Sequence, residues 1–229
     1  MIFDPVYFLF IGPGLLLSLL AQWMTKSAFN KYSKVRNSYG LTGAQAAQAM
    51  LDRAGIRDVN IVTSQGFLSD HYNPMTKTLA LSPAVYGEQS VAAIGVACHE
   101  AGHAIQHARR YAPLWARSAL VPTARFSDIG MWVMMFGLMF QSQGMVGIGA
   151  VLFSGVLLFQ LITLPVEFDA SARAKRLAFE QGLIAPQERA GMAKVLNAAA
   201  LTYVAAAVSS LLTLLYFLMR AGLLGGRDD

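Results

Sequence analysis

The feature that most constrains this chain is a set of long apolar blocks separated by charged segments. Apolar residues dominate positions 6–24, 129–166 and 198–218, and only a polar stretch at 141–144 interrupts the middle block. About 20 residues of helix cross the hydrocarbon core of a bilayer, so the middle block is long enough for two helices joined by a tight turn. The pattern predicts four membrane spans, near residues 6–24, 127–142, 145–165 and 198–219.

The charges around these spans predict how the chain lies in the membrane. Of the 18 Lys and Arg residues, eleven lie between positions 25 and 126 and five between 166 and 197. Four spans place both loops on one side, and their basic character predicts that this side is the cytoplasm. We therefore expect a multi-pass protein of the inner or plasma membrane with both termini outside. Such loops account for the net charge of +5, and we expect no nucleic-acid partner.

The first span is preceded by MIFDP, which has an acid and no base. A cleaved leader has a positively charged start, so we interpret this segment as an anchor.

Between the first two spans, the sequence has the patterning of a small globular region. Thr42 predicts the start of a helix that ends at Gly55, and Val59–Thr63 alternates like a strand. Asn73-Pro74 predicts a turn between two further strand-like arms, and Ser90 begins a helix that runs to about Arg109.

That last helix contains the sequence His99-Glu100-Ala101-Gly102-His103. Residues four apart lie about 6 Å apart on one helix face, which suits two imidazoles that bind a single zinc ion. Glu100 lies beside this face, where it can accept a proton from the attacking water. The alternative is a helix with two surface histidines and no metal. The apolar neighbours favour a metal site, because buried imidazoles and carboxylates without partners are costly.

A catalytic zinc site needs a third protein ligand and an open position. His107 lies about 12 Å from His99 along the helix axis, too far to bind the same ion. Gln106 and Arg109 stand where a metzincin-type site needs Gly and His, so that class is excluded. No histidine follows His107, and we therefore expect a carboxylate ligand.

Glu167 is the preferred carboxylate, because it follows Pro165 at the cytoplasmic end of the third predicted span. Asp169, two residues later, points elsewhere on a helix, so both cannot take the same role. The alternative for Glu167 is an ordinary acid at the start of a helix.

Three segments together resemble one known family: SDHYNPMTKTLALSP at 69–83, HEAGHAIQ at 99–106 and LPVEFDASARA at 164–174. They resemble the YugP-type family of membrane-bound neutral zinc metallopeptidases, over nearly the whole chain. The layout is similar, more distantly, to membrane gluzincins such as HtpX and the CAAX prenyl endoproteases. In that group HExxH supplies two ligands and a Glu on a later helix supplies the third.

The resemblance implies a zinc metalloendopeptidase with one catalytic Zn²⁺, ligands His99, His103 and Glu167, and Glu100 as base. One position departs from the distant group, which usually has an Asp four residues after the ligand Glu to brace a ligand histidine. This chain has Ser171 there, which leaves open whether Asp169 or Ser171 supports a ligand.

The strand before the HExxH helix commonly pairs with an extended substrate in gluzincins. The resemblance therefore implies that Lys77–Leu81 binds substrate by strand addition. Asp70, His71 and Tyr72 either donate hydrogen bonds to the developing oxyanion or hold the turn, and His71 is our candidate catalytic donor.

These observations predict an α-rich integral membrane protein with about four transmembrane helices and a small α+β, zincin-like catalytic domain on the cytoplasmic side. The substrate is a polypeptide near the membrane surface, including membrane proteins. The glycines at 144, 147 and 149 allow close helix packing within or between subunits, so a homo-oligomer stays open. The predicted regions are an anchor at 1–24, a catalytic domain at 25–126, a transmembrane hairpin at 127–165, a helical segment with the third ligand at 166–197, and a last transmembrane helix with its tail at 198–229.

Three other functions compete with a peptidase. A zinc hydrolase that acts on a lipid or a small amide would use the same ligands. A catalytically silent membrane adaptor would keep a structural metal, but structural zinc is closed by four protein ligands, often cysteines. Cys98, the one cysteine, lies off the histidine face. A transporter is disfavoured, because the spans contain almost no ionisable groups.

Overall fold

The computed structural model of the chain describes residues 5–66 and 69–224. Phe67 and Leu68, in the predicted strand arm, and Arg227, Asp228 and Asp229 of the predicted tail lie outside this range. The described residues form the following elements: α1 (Pro5–Tyr32), α2 (Gly43–Arg53), β1 (Asn60–Thr63), β2 (His71–Asn73), β3 (Thr78–Leu81), α3 (Pro83–Tyr86), α4 (Val91–Ala108), α5 (Ala112–Arg125), α6 (Ser127–Met139), α7 (Gln143–Glu180), a 3-10 turn (Pro186–Glu188) and α8 (Arg189–Arg220).

The chain divides into two compact units, as far as its residues are described. The first, which we call the apolar unit, comprises Met1–Ala21, Trp115–Leu164 and Thr202–Asp229. The second, the site unit, comprises Gln22–Leu114 and Pro165–Leu201.

Within the site unit, the ends of helix α2 follow from its sequence. Thr42 forms a capping box with Gln45: its hydroxyl accepts from the Gln45 N–H, and the Gln45 side chain accepts from the Thr42 N–H. Gly55 follows the helix in the left-handed region, with φ of +76°, where glycine carries no steric penalty. Both predicted ends of this helix are confirmed.

The three short strands form one sheet in the order β1-β3-β2. β1 pairs parallel with β3, and β2 pairs antiparallel with β3, so that His71 lies opposite Ala80. Asn73 stabilises the turn between β2 and β3, because its side-chain oxygen accepts from the Met75 N–H at 2.9 Å. The predicted strand and the two predicted arms are all present.

The order of the strands corrects one prediction. β3 is the central strand, and both of its edges are already paired within the sheet. Lys77–Leu81 therefore cannot pair with a substrate by strand addition, because its backbone groups bond to its neighbours. The edge strand on the antiparallel side is β2.

Helix α4 runs through the core of the site unit. Ser90 caps it as predicted, since its hydroxyl accepts from the Ala93 N–H at 3.1 Å. The small and branched residues of α4 pack against α2, the sheet and nearby residues of α7 and α8, so almost the whole helix is buried. The cysteine at position 98 is fully buried in this core, and burial raises the pKa of its thiol to about 12.

Three helices are long and apolar enough to cross a membrane: α1, α7 and α8. The fourth predicted span, near 127–142, corresponds to α6, which has 13 residues. A helix of that length rises about 20 Å, less than the about 30 Å of hydrocarbon. The described residues therefore contain three candidate membrane helices, and α6 alone is shorter than the predicted fourth span.

In the apolar unit, α6 packs closely on the first half of α7. A Cβ atom at Gly137 would lie 2.7 Å from the backbone nitrogen of Val146, and one at Gly130 would lie 2.6 Å from that of Phe153. Gly149 faces this same contact, with the Gly130 carbonyl oxygen 2.8 Å from the position of a Cβ atom. This glycine therefore serves packing within the chain.

Candidate metal centre

The HEAGH sequence lies in the middle of α4, where it faces the second half of α7. His103 and Glu100 are buried, and His99 is partly buried. Gly102 permits a close approach of the two helices, since a Cβ atom at this position would lie 2.8 Å from the carbonyl oxygen of Ala170. This contact allows side chains from both helices to meet over a short distance.

Glu167 lies in the interior of α7, which continues without a break from Gln143 to Glu180. The alternative of an acid at a helix start is therefore wrong. Pro165 lies inside the same helix, two residues before Glu167, and its ring lacks the N–H that would bond to the carbonyl one turn earlier.

The structure brings three of the predicted residues together. The Nε2 atom of His99 lies 3.2 Å from Oε2 of Glu167, and the Nε2 atom of His103 lies 3.5 Å from the same oxygen. One ligand atom from each residue lies within 4.8 Å of the others. Among residues 5–66 and 69–224, this is the one group of three or more His, Cys, Asp or Glu side chains that could hold an ion.

The two nitrogen–oxygen distances fit zinc. Bonds of about 2.1 Å in a tetrahedron place neighbouring ligand atoms about 3.4 Å apart, close to the two nitrogen–oxygen distances. Two imidazoles and one carboxylate are also the donor set of many catalytic zinc sites, with a fourth position left for water or substrate.

Both histidines are held at the ring nitrogen that faces away from Glu167. The Nδ1 atom of His99 lies 3.1 Å from the hydroxyl of Ser171. The Nδ1 atom of His103 lies 2.9 Å from the side-chain oxygen of Gln106. The carboxylate of Asp169 accepts a hydrogen bond from the Gln106 amide at 2.8 Å. Ser171 thus supports the His99 ring directly, and Asp169 supports the His103 ring through Gln106.

The carboxylate also affects the protonation of His103. Burial lowers the pKa of His103, but the hydrogen bond and the charge of Glu167 outweigh burial and hold this pKa above its usual value.

Glu100 and His71, the two predicted catalytic residues, lie outside the three-residue group. Glu100 follows His99 on α4, and its side chain is buried with 8% of its surface exposed. His71 lies on the edge strand β2, is exposed, and its Nδ1 atom is 2.9 Å from the Ser69 carbonyl oxygen. Their catalytic roles stay predictions.

The neighbours of His71 have partners within the fold. Both carboxylate oxygens of Asp70 accept from Ser82, one from its N–H at 2.7 Å and one from its hydroxyl at 3.1 Å. The Tyr72 hydroxyl lies 2.8 Å from Nδ1 of His107 and so connects β2 with the end of α4. Burial raises the pKa of Tyr72 to about 12. Asp70 and Tyr72 therefore hold the sheet in place, whereas His71 projects from it.

Sequence reasoning missed Gly102 and Gln106 as parts of this centre. Gln106 follows His99 by seven positions and His103 by three, so helical periodicity already places it on the ligand face. The need for glycine at 102 depends on the approach of α7, which is a tertiary contact.

The fold and this centre define a class: a helix-rich protein with helices that could cross a membrane and a cluster of two histidines and one glutamate suited to zinc. The chain belongs to the family described as "Putative neutral zinc metallopeptidase", which it matches over residues 7–222. It is 47% identical over 214 residues to the "Putative membrane protease YugP" of Bacillus subtilis (strain 168), a match that covers 93% of this chain and 94% of that protein. No solved structure matches the chain. The resemblance to the YugP-type family is confirmed.

Proposed function

We propose that this protein is a membrane-bound zinc-dependent endopeptidase of the gluzincin type, which hydrolyses peptide bonds near the cytoplasmic surface of the membrane. The observation that carries the proposal is the convergence of His99, His103 and Glu167, whose ligand atoms lie within 4.8 Å of one another. Membership in a zinc metallopeptidase family supports the same activity.

The residues of the centre have distinct roles in this proposal. His99, His103 and Glu167 would hold one zinc ion, which would act as a Lewis acid on the scissile carbonyl and the attacking water. Glu100 accepts a proton from that water as the water oxygen forms the new bond to the carbonyl carbon. Glu100 then donates the proton to the leaving amine as the C–N bond breaks, so the products are a carboxylate and an amine.

Three ligands favour a catalytic over a structural metal. A structural zinc ion is closed by four protein ligands, whereas the described part of the chain brings three metal-binding side chains together here. The fourth position is then available to water and substrate. An open fourth position disfavours the silent adaptor, and a lipid or small-amide hydrolase differs from a peptidase only in its substrate.

The centre also supports a four-crossing topology. His99 and His103 precede α6 in the chain, and Glu167 follows the apolar part of α7. Side chains that meet in one cluster must lie on the same side of a membrane. The chain therefore crosses an even number of times between positions 103 and 167. If α7 crosses the membrane once, a segment between His103 and the start of α7 must cross it in the opposite direction.

We infer that α5 and α6 together make this return crossing. They follow each other with a break only at Phe126, and α5 contains Pro122. Their residues contact α7 in reverse order along the chain: Gly137 with Val146, Gly130 with Phe153, Thr123 with Gly155, and Arg117 with Phe159. From Gln143 to Phe159, α7 rises about 24 Å, so the pair of shorter helices covers most of a bilayer.

With this topology, the basic loops face the cytoplasm and both termini lie outside. Pro165 ends the predicted third span two residues before Glu167, so the centre lies close to the bilayer. We therefore propose polypeptide segments at the membrane surface, including those of membrane proteins, as substrates. Gly144 and Gly147 have open space where a Cβ atom would be, which leaves room for contacts between subunits.

The test of the proposed function separates metal binding from chemistry. The full-length protein, purified in detergent and loaded with zinc, is assayed on a library of fluorogenic peptides and, in parallel, on lipid esters and small amides. Glu100→Gln should bind zinc as the unsubstituted protein does and lose peptide hydrolysis by at least about a hundredfold. Glu180→Gln, an exposed acid at the end of α7, is the matched control. Full peptidase activity in Glu100→Gln, or hydrolysis of lipids alone, would contradict the proposal.

A further inference from the structure

We propose that Gln106 is a positioning residue for the zinc ligand His103: it fixes the ring so that Nδ1 carries the proton and Nε2 faces the metal. This inference rests on the proposed function, since it assigns a role relative to the same ion. It concerns a residue that neither ligates zinc nor touches the substrate.

The first observation is that every polar atom of the Gln106 side chain is used. The side chain is fully buried. Its amide nitrogen donates to the carbonyl oxygen of Val166 and to Oδ2 of Asp169, each at 2.8 Å. Its amide oxygen lies 2.9 Å from Nδ1 of His103. A glutamine with all its groups paired has one orientation.

The partners determine that orientation. A backbone carbonyl and an ionised carboxylate only accept hydrogen bonds, so the NH₂ group of Gln106 must face Val166 and Asp169. The amide oxygen, which also only accepts, must then face His103. The Nδ1 atom of His103 must therefore carry a hydrogen. In a neutral ring the lone pair then lies on Nε2, the nitrogen that is 3.5 Å from Glu167.

Asp169 is itself held in place by Arg173. The Nε atom of Arg173 donates to Oδ2 of Asp169 at 2.6 Å, and Nη2 donates to Oδ1 at 3.2 Å. A continuous chain of hydrogen bonds therefore runs from Arg173 through Asp169 and Gln106 to His103. The direction of every hydrogen bond in this chain is determined, because the Arg173 guanidinium at its start can only donate.

His99 lacks such a fixed partner at Nδ1. The Ser171 hydroxyl at 3.1 Å can either donate or accept, so it does not determine which nitrogen of His99 carries the proton. The two histidine ligands therefore differ: Gln106 fixes the tautomer of His103, and Ser171 only orients the ring of His99. A substitution at 106 should affect metal binding more than one at 171.

The first test measures zinc affinity in the folded, full-length protein by competition with a chelator. Gln106→Met keeps the length of the side chain and removes all its hydrogen bonds. We expect the affinity for zinc to fall about 10- to 100-fold, and less in Ser171→Ala. With Co²⁺ in place of zinc, the visible absorption of Gln106→Met should also differ from that of the unsubstituted protein.

The control is Ile105→Val, the neighbouring fully buried residue, which loosens the core of α4 without touching the ligands. Unchanged zinc affinity in Gln106→Met would overturn the inference. So would an equal loss in Ile105→Val, because the effect would then reflect the fold alone.

A second measurement needs no change at 106. Nitrogen-15 NMR of the imidazoles, with the His103 signals identified by their loss in His103→Asn, reports which ring nitrogen carries the proton. We expect a protonated Nδ1 on His103 in the zinc-loaded protein, with the metal at Nε2. Metal at Nδ1 would overturn the inference. Failure of the unsubstituted protein to bind zinc would instead contradict the proposed function.

Discussion

Gly102 of α4 and Ala170 of α7 are in backbone contact beside the candidate metal centre: a Cβ atom at 102 would lie 2.8 Å from the Ala170 carbonyl oxygen. His103 follows Gly102 directly, and Glu167 lies one turn before Ala170. The close approach of these two backbones therefore determines whether the ligands can meet.

Gly102→Ala should push α4 and α7 apart. A backbone carbonyl cannot move aside as a flexible side chain can, so we expect a loss of about 1–3 kcal/mol in stability and a fall in zinc affinity. Thermal unfolding and zinc competition measure both. Gly95→Ala on the same helix is the control, because the nearest atom there is the flexible Met192 side chain at 3.3 Å. Equal zinc affinity in both variants would contradict this role of Gly102.

Zinc binding should weaken as the pH falls. Glu167 holds the pKa of His103 above its usual value of 6.5, and a protonated imidazole cannot bind a metal. Below the raised pKa, the affinity should fall about tenfold per pH unit for each proton that zinc displaces. Chelator competition between about pH 8 and pH 6 measures this dependence, and constant affinity over that range would contradict it.

The metal-free protein should depend on pH in the opposite sense. A pKa that is higher in the folded than in the unfolded chain gives a stabilisation that is complete below the unfolded pKa and is lost as the pH rises through the folded pKa. Metal-free protein should therefore unfold at a lower temperature at about pH 8 than at about pH 6, and Glu167→Gln should reduce that difference.

The proposed topology predicts opposite exposure of two positions. In a Cys98→Ala background, a thiol reagent that does not cross membranes should label Gly144→Cys in intact cells. It should label Met75→Cys, whose native side chain is 91% exposed, only after the cells are opened. The same labelling behaviour at both positions would exclude a return crossing by α5 and α6.

His71→Ala tests whether this histidine acts on the substrate. Because the His71 side chain is exposed, its removal should leave the unfolding temperature nearly unchanged. If His71 stabilises the oxyanion, turnover should fall about 10- to 1,000-fold. Tyr72→Phe, which removes a hydrogen bond to His107, serves as a comparison for loss of structure alone. Unchanged turnover in His71→Ala would contradict a role of His71 as a catalytic hydrogen-bond donor.

Local patterns predicted α2, α4 and the three strands of the site unit because their ends depend on nearby residues. Thr42, Gly55 and Ser90 act within one turn of their helix ends, and the turn after Asn73 depends on its own side chain. The spacing of His99 and His103 also follows from helix geometry alone.

Other features depend on contacts between distant segments and were not accessible from the sequence. Local sequence patterns do not show which strand of the sheet is central. Hydropathy does not show that α6 has only 13 residues and follows a separate helix α5. The supports of the histidines likewise depend on which residues α7 presents to α4. Hence Ser171 and Asp169 remained equal alternatives, although they contact different ligands through different partners.

The most direct test of the three-residue centre is the zinc content of purified full-length protein and three variants of α7. We expect about one zinc ion per chain in the unsubstituted protein and in Glu180→Ala, and almost none in Glu167→Ala. Asp169→Ala should retain zinc with weaker affinity. Equal zinc content in the unsubstituted protein and Glu167→Ala would contradict the three-residue centre.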